Sequence, residues 1–277
     1  MTQEQKICGV VDWGLVAYAR ACAWQAELVA QRQAGKIPDL LILCEHPPVI
    51  TLGRNARREN VRAAAQELAE RGVELHATNR GGDVTYHGPG QLVGYPILDL
   101  GGWRKDVLAY VRALEEVLIR AVQEFGIAAG RKTPPTGKPR SEKLRGKRQL
   151  YTGVWVGAPD SAEEKLAAIG VHIARWVTSH GFALNVTTDL SYFDFIVPCG
   201  LADTRVTSLD RLLGPSGIPR LRSGQGGRWV GLAGSELVNA VKAAVVKQFG
   251  EVFARAMKVV EPDEWEAWLG AHEAAAS

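Results

Sequence analysis

The 277-residue chain has few cysteines and spaces none of them for metal or redox work. Its four, at 8, 22, 44 and 199, form no C-x-x-C pair, which argues against a zinc ribbon or a dithiol centre. His46, in Cys44-Glu-His-Pro-Pro48, has no H-E-x-x-H partner, so no metal site is expected. Long apolar runs are absent as well: nothing approaches the roughly 18 residues of a membrane span. The opening Met-Thr-Gln-Glu-Gln-Lys6 lacks the basic and apolar regions of a secretion signal. Net charge is only +3, too small to mark a nucleic-acid binder unless the basic residues cluster. No internal repeat is present. These absences predict cytoplasmic residence, a reducing setting in which a lone thiol stays available for chemistry.

What remains is a composition, 46% hydrophobic and 23% charged, that supports a sizeable core. One domain spanning 1–277 is expected, with surface insertions at 130–150 and 214–228. Apolar runs of strand length fall at Ile7–Trp13, Leu40–Cys44, Val49–Leu52, Val73–Ala77 and Leu92–Leu98, and again at Gly153–Val156, Ile169–Ile173 and Phe182–Val186. Helical patterns fall at Leu15–Gln33, at Asn60–Arg71 with Asn60 as N-cap, at Lys105–Phe125, and near 235–249 and 262–269. Strands in hairpin-like groups, interspersed with helices, predict an α/β (α+β) fold with a mixed sheet flanked by helices. Between 130 and 149, three prolines and eight Lys or Arg against one Glu predict a loop.

Three segments bear on chemistry. Arg80-Gly-Gly-Asp-Val-Thr-Tyr-His-Gly-Pro-Gly-Gln91 places four glycines between two strands, far more than a tight hairpin needs. Its glycines let backbone approach a ligand, and Arg80, Thr85, Tyr86 and His87 offer directional polar contacts. Cys199, between Pro198 and Gly200 at the abrupt end of an apolar run, is placed to be both fixed and reachable. Cys8, Cys22 and Cys44 lie inside strand or helix patterns and read as core. A nucleophilic thiol needs a base or cation nearby, and Lys165, His87 and His180 are the candidates. His180-Gly-Phe-Ala-Leu-Asn185 suits a wall for an aliphatic chain and equally suits a buried strand. Nucleotide signatures fail: Gly88, Gly90 and Gly94 miss dinucleotide spacing, and Gly130 to Lys138 misses that of a phosphate-binding loop. With no ATP site marked, an acyl donor should arrive already activated.

Taken together, Glu45-His-Pro-Pro-Val-Ile-Thr51, Arg80–Gln91, Lys165–Gly170 with His180–Asn185, and Pro198-Cys-Gly200 resemble the octanoyltransferase family of lipoate biosynthesis. The resemblance implies the fold shared by biotin- and lipoate-protein ligases and transfer of octanoyl without a cofactor or metal. The donor would be octanoyl-acyl carrier protein. The acceptors would be lipoyl domains of 2-oxoacid dehydrogenase complexes and the glycine cleavage H protein, with no nucleic-acid or membrane partner. It makes Cys199 the acyl-thioester nucleophile and Lys165 the residue that lowers its pKa and later acts as base. It implies substrate binding by Arg80, Gly81, Gly82, Asp83, Val84, Thr85, Tyr86 and His87, by Ala168, Ile169 and Gly170, and by Gly181, Phe182 and Ala183. The chain departs from the family pattern in its long segments 130–150 and 214–228 and in lacking an Ala-Pro dipeptide before Gly153. The basic stretch 131–148 reads as a solvated loop, with docking of an acidic partner as the alternative.

Overall fold

Asp39-Leu-Leu-Ile-Leu-Cys-Glu45 has no polar alternation, the pattern of a strand covered on both faces. It forms β2 (Asp39–Glu45), and its side chains divide by parity: Leu41 and Leu43 enter one core, while Leu40, Ile42 and Cys44 enter another. The computed structural model describes residues 6–132, 141–144, 147–150, 152–157, 163–198, 204–214 and 232–269, with backbone alone over 141–144 and 147–150.

β2 sits inside a nine-stranded mixed sheet. On one side lie β1 (Lys6–Leu15) and β14 (Arg255–Val259), both parallel to their neighbours. On the other side come β6 (Gln91–Ile97), β12 (Val177–Asn185), β11 (Glu164–Ala174), β10 (Val154–Val156) and β7 (Ala129–Gly130), each antiparallel to the last. A short β13 (Arg205–Val206) runs parallel to the start of β11.

One face carries α3 (Val107–Gln123) and α5 (Gly234–Phe253), packed on each other and on Leu41, Leu92, Phe182 and Leu184. The strongly amphipathic sequence of α3 explains its seat, and Asp106 caps it by accepting a 2.9 Å bond from the Ala109 N–H. The other face carries α1 (Tyr18–Gln33) and α6 (Pro262–Trp268), whose Leu28 and Trp265 join Ile42, Val93 and Ala183. At the rim of the sheet, the buried Asp39 carboxylate accepts bonds of 2.9 Å from Arg32 and 3.0 Å from Arg255, tying α1, β2 and β14 together. The mixed sheet between helices agrees with the fold expected from sequence. Among the described residues no helix is long and apolar enough to cross a membrane.

A second sheet orders β4 (Glu74–Ala77), β3 (Val49–Leu52) and β5 (Val84–His87). It has a core of its own, in which Ile50, Leu68, Val84 and Tyr86 meet Phe193 and Ile196. Here the structure departs from the sequence expectations. The glycine-rich segment is neither a continuous loop nor a hairpin: Val84–His87 pairs with β3, and the flanking strands belong to different sheets. The helix expected over 60–71 shrinks to α2 (Ala65–Glu70). Residues 60–63 instead bond the 195–197 backbone, and the Asn60 amide donates to Asp83 at 2.7 Å rather than capping a helix. The first helix begins at Tyr18, because Leu15 still pairs with Glu45. The expected loop over 130–149 contains an antiparallel pair, β8 (Ser141–Leu144) and β9 (Lys147–Leu150). After β13 comes α4 (Leu209–Leu213); most of the 214–228 segment lies outside the described residues.

The centre of the large sheet depends on two glycines. A Cβ on Gly94 would stand 2.1 Å from the Phe182 ring, which lies across it, and a Cβ on Gly181 would stand 2.2 Å from the Gly94 carbonyl oxygen. Backbone cannot yield there without parting β6 from β12. Gly181→Ala is expected to cost about 1–3 kcal/mol in urea unfolding. Gly130→Ala, with nothing within 4 Å of the new methyl, should stay within about 0.5 kcal/mol. Equal stability of the two variants would show that β6 and β12 do not approach this closely.

Candidate active site

The Arg80 segment is shaped by burial of its own cation. The guanidinium of Arg80 donates to the Thr51 carbonyl at 2.8 Å, to the Thr51 hydroxyl at 2.8 Å and to the Gly81 carbonyl at 3.1 Å. It is 7% exposed, and such burial is tolerable only with this degree of hydrogen bonding. Gly53 makes the fit possible, since a Cβ there would lie 2.8 Å from a guanidinium nitrogen and 2.5 Å from the Gly82 oxygen. Gly81 then donates to the Val171 carbonyl at 2.9 Å. Gly170 on β11 admits that approach, because its Cβ would stand 2.8 Å from the Gly81 oxygen. Arg80, Gly81 and Gly170 thus form one junction between the two sheets. Asp83 accepts from Asn60 at 2.7 Å and from its neighbour's Val84 N–H at 2.8 Å, closing the turn that Gly82 makes with φ +92.

Beyond the junction lies a narrow cleft of about 300 Å³, part of it open to solvent. Thr85 and Gln91 line it from the glycine-rich segment, Ala167, Ala168 and Lys165 from β11, and Ala183 and Asn185 from β12. Phe193, Pro198 and Val206 complete the wall. Lys165 is 6% exposed. Its strand position is fixed on both sides, by Trp155 on β10 and Val206 on β13, and its ammonium lies 5.3 Å from the Trp155 ring centre, a cation–π contact. Gly153 leaves room for the lysine stem, which a Cβ there would meet at 2.9 Å.

A chain of amides runs under the cleft. His87 Nδ1 bonds Gln91 Oε1 at 2.7 Å; the Gln91 amide donates to Asn185 Oδ1 at 2.9 Å and to the Tyr86 carbonyl at 3.1 Å. Asn185 in turn donates to the Thr207 carbonyl at 3.0 Å, and the Thr207 N–H donates to the Lys165 carbonyl at 3.0 Å. Since an amide oxygen only accepts, His87 Nδ1 carries the proton and Nε2 is free of it. Behind His87, Tyr18 stacks at 6.0 Å, His46 lies edge-on at 5.9 Å, and the Tyr95 hydroxyl bonds His46 Nε2 at 2.7 Å.

Of the expected site residues, Lys165, Thr85, Ala168 and Ala183 meet at the cleft, while Arg80, Gly81, Gly82, Asp83 and Gly170 build the junction beside it. Val84 and Tyr86 face the core of the small sheet, Phe182 and Ile169 pack with the large core, and Gly181 serves the β6–β12 approach. Cys199 lies outside the described residues; Pro198 before it lines the cleft. Sequence reasoning gave Gln91 and Asn185 no role of their own. Their signal was polarity at the end of apolar strands, where a buried amide must be satisfied. Ala167, Phe193 and Val206 carry no such signal.

Known proteins resemble this chain in sequence and in fold. Residues 17–221 match the lipoyl protein ligase A/B catalytic domain. The octanoyltransferase of Solibacter usitatus is 54% identical over 205 residues, 74% of this chain and 83% of that protein. That of Acidobacterium capsulatum is 50% identical over 212 residues, 74% of this chain and 80% of that protein. Among solved structures, lipoate-protein ligase A bound with ATP superposes with a TM-score of 0.63 at 14% identity, covering 96% of this chain and 93% of that one. A bipartite lipoate protein ligase of Thermoplasma acidophilum gives 0.60 at 14%, covering 95% and 91%; both likenesses concern the fold. The chain belongs to the lipoyl protein ligase A/B catalytic family and, within it, is an acyltransferase of the octanoyltransferase group.

The buried histidines give the site a pH signature. Burial lowers His46 to about 4 and His87 to about 3, the latter helped by His46 and Arg80; burial and Arg80 lower His180 to about 4. Unfolded histidines titrate near 6.5, so between pH 6.5 and about 4 the unfolded chain binds more protons than the folded one. Stability is therefore full above pH 6.5 and falls with pH below it, by at most about 1.4 kcal/mol per unit for each histidine. Chemical denaturation between pH 7 and 5 should show this slope, and His87→Gln should reduce it by about one third. A slope unchanged in that variant would show that His87 is not buried neutral.

Proposed function

We propose that the protein transfers octanoyl from acyl carrier protein, through a thioester on Cys199, to the lysine amine of lipoyl domains. The observation that carries the reading is the cleft itself. A buried lysine stands in a cleft lined by Ala167, Ala168 and Ala183, and Pro198, one residue before the only cysteine whose sequence context is a turn, lines the same cleft.

The chemistry balances without an added activator. The Cys199 thiolate attacks the carbonyl carbon of the donor thioester; a new C–S bond forms, and the carrier's thiol leaves with a proton. This exchange of one thioester for another is nearly isoenergetic. The acceptor amine then attacks the same carbon, the bond to Cys199 breaks, and an amide forms downhill. The Lys165 ammonium favours the thiolate by Coulomb attraction, and the same side chain is assigned the proton traffic of the incoming amine. Ala167, Ala168 and Ala183 line the cleft beside Lys165 with small apolar side chains, the surface an unbranched acyl chain would lie against. Acceptors of this chemistry are the lipoyl domains of 2-oxoacid dehydrogenase complexes and the glycine cleavage H protein, and the compartment is the cytoplasm, where the thiol stays reduced. The chain is read as one catalytic domain, with 130–150 and 214–228 as insertions.

Intact-protein mass after incubation with octanoyl-acyl carrier protein should show one added octanoyl group. Cys199→Ala should show none, and a lipoyl domain should discharge the adduct. Lys165→Met keeps the stem over Trp155 and removes the ammonium, and it should slow adduct formation by about 10²–10⁴. No adduct on the wild type, with transfer equal in the Cys199→Ala variant, would sink the thioester route. Transfer that needed free octanoate and ATP would make the protein a ligase.

A further inference from the structure

A basic segment is bonded to two stretches of chain that lead into the cleft. Residues 54–62 carry Arg54, Arg57, Arg58 and Arg62 against one acid, Glu59. Arg57 is engaged with Glu59 at 3.5 Å. Arg54, Arg58 and Arg62 are exposed, and among the described residues their guanidinium groups make no ion pair or hydrogen bond. Asp83, in the turn to which the segment is bonded, is committed to the Asn60 amide and to the Arg57 and Val84 N–H groups.

The segment is not a free loop. Gly53, Arg54 and Asn55 donate to the carbonyls of Asp83, Arg80 and Gly82 at 3.2, 3.0 and 3.0 Å. Arg62 donates to the Phe195 carbonyl at 2.8 Å, and Val197 donates to the Asn60 carbonyl at 2.7 Å. One end is therefore fastened to the turn that leads to Thr85, and the other to the strand-like stretch that leads to Pro198. Thr85 and Pro198 both line the cleft. Three arginines held on a rigid backbone beside the mouth, with no internal counter-charge, suit a partner that brings the counter-charge itself. Left alone they contribute only self-repulsion.

Building on the function proposed above, we propose that Arg54, Arg58 and Arg62 are the landing surface for the acidic carrier protein that delivers the acyl group. Docking there leaves the thioester, on its long pantetheine arm, to enter between Thr85 and Pro198. The contacts are exposed and charged, so they act through encounter rate and orientation rather than through burial.

The test compares two donors on one triple variant, Arg54→Glu/Arg58→Glu/Arg62→Glu. With octanoyl-acyl carrier protein, kcat/KM for acyl-enzyme formation should fall about tenfold or more, and the salt dependence seen in the wild type should flatten. With octanoyl-N-acetylcysteamine, which carries the thioester without the protein, the rate should stay at the wild-type value, which also shows that the variant is folded. An equal fall with both donors overturns the proposal, as does an unchanged rate with the carrier. A loss confined to discharge onto the lipoyl domain would assign the surface to the acceptor and overturn it too. A wild type that takes octanoyl from the small thioester but never from the carrier would overturn the donor assignment on which the proposal rests.

Discussion

The site depends on a buried cation. Arg80 is held almost out of water by carbonyls and a hydroxyl from β3 and from its own turn, and everything around it is arranged to make that burial tolerable. Glycines at 53 and 170 exist where they do because a Cβ would strike the guanidinium, its stem or the Gly81–Gly82 carbonyls. The guanidinium holds this turn against β3, and Gly81 within the turn bonds the Val171 carbonyl of β11, the strand that carries Lys165. Its charge also reaches the histidines, where it adds to burial in holding His87 and His180 neutral. One buried cation thus helps to set the relative position of two sheets and adds to the burial that keeps His87 and His180 neutral beneath the cleft.

The Nδ1–H of His87 and the Tyr86 carbonyl together make the amide chain directional. With His87 Nδ1 as donor, Gln91 must present its oxygen to the imidazole and its nitrogen to Asn185, and Asn185 must then turn its nitrogen toward Thr207. The last link is a backbone bond to the Lys165 carbonyl. Protonating His87 would leave Nδ1–H unchanged as a donor but place a second charge near Arg80, in a volume that already disfavours one. The chain therefore keeps one arrangement over the pH range in which a thiolate and an amine can react.

Much of this was legible in the residues. The apolar strands, the amphipathic α3 and the mixed sheet could all be read from periodicity, because each follows from which atoms must leave water. What stayed hidden was governed by contacts distant in sequence. The β11–β12 hairpin turns through Arg175 and Trp176, at φ 50 and 65, with neither glycine nor asparagine to announce it. The helix expected from Asn60 loses its first turn because the 195–197 backbone competes for the same N–H groups. Tyr86, read as a polar ligand contact, spends its ring on Tyr192, stacked at 4.9 Å, in a core that no local pattern discloses. Its hydroxyl occupies the space beside Gly88 that a Cβ would need, so the motif is as much about packing as about binding.

Sharing a fold with enzymes that bind ATP need not mean sharing their activation chemistry. An adenylate-forming site must bind a free acid and a nucleotide together, whereas a thioester route must hold one acyl chain and keep water from it between two transfers. The described wall of the cleft suits the second demand. Thr85 and Lys165 apart, the lining is amide or apolar: Ala167, Ala168, Ala183, Phe193, Pro198 and Val206 carry no polar side-chain atom. The two amides that do reach the cleft, Gln91 and Asn185, are committed to one another and to backbone carbonyls. A thioester formed there would face one nitrogen already present, that of Lys165, and one that arrives with the acceptor. A buried lysine beside an acyl thioester must itself be kept from attacking it. The Trp155 ring under its ammonium and the tight seat against Gly153 help to hold the side chain in place.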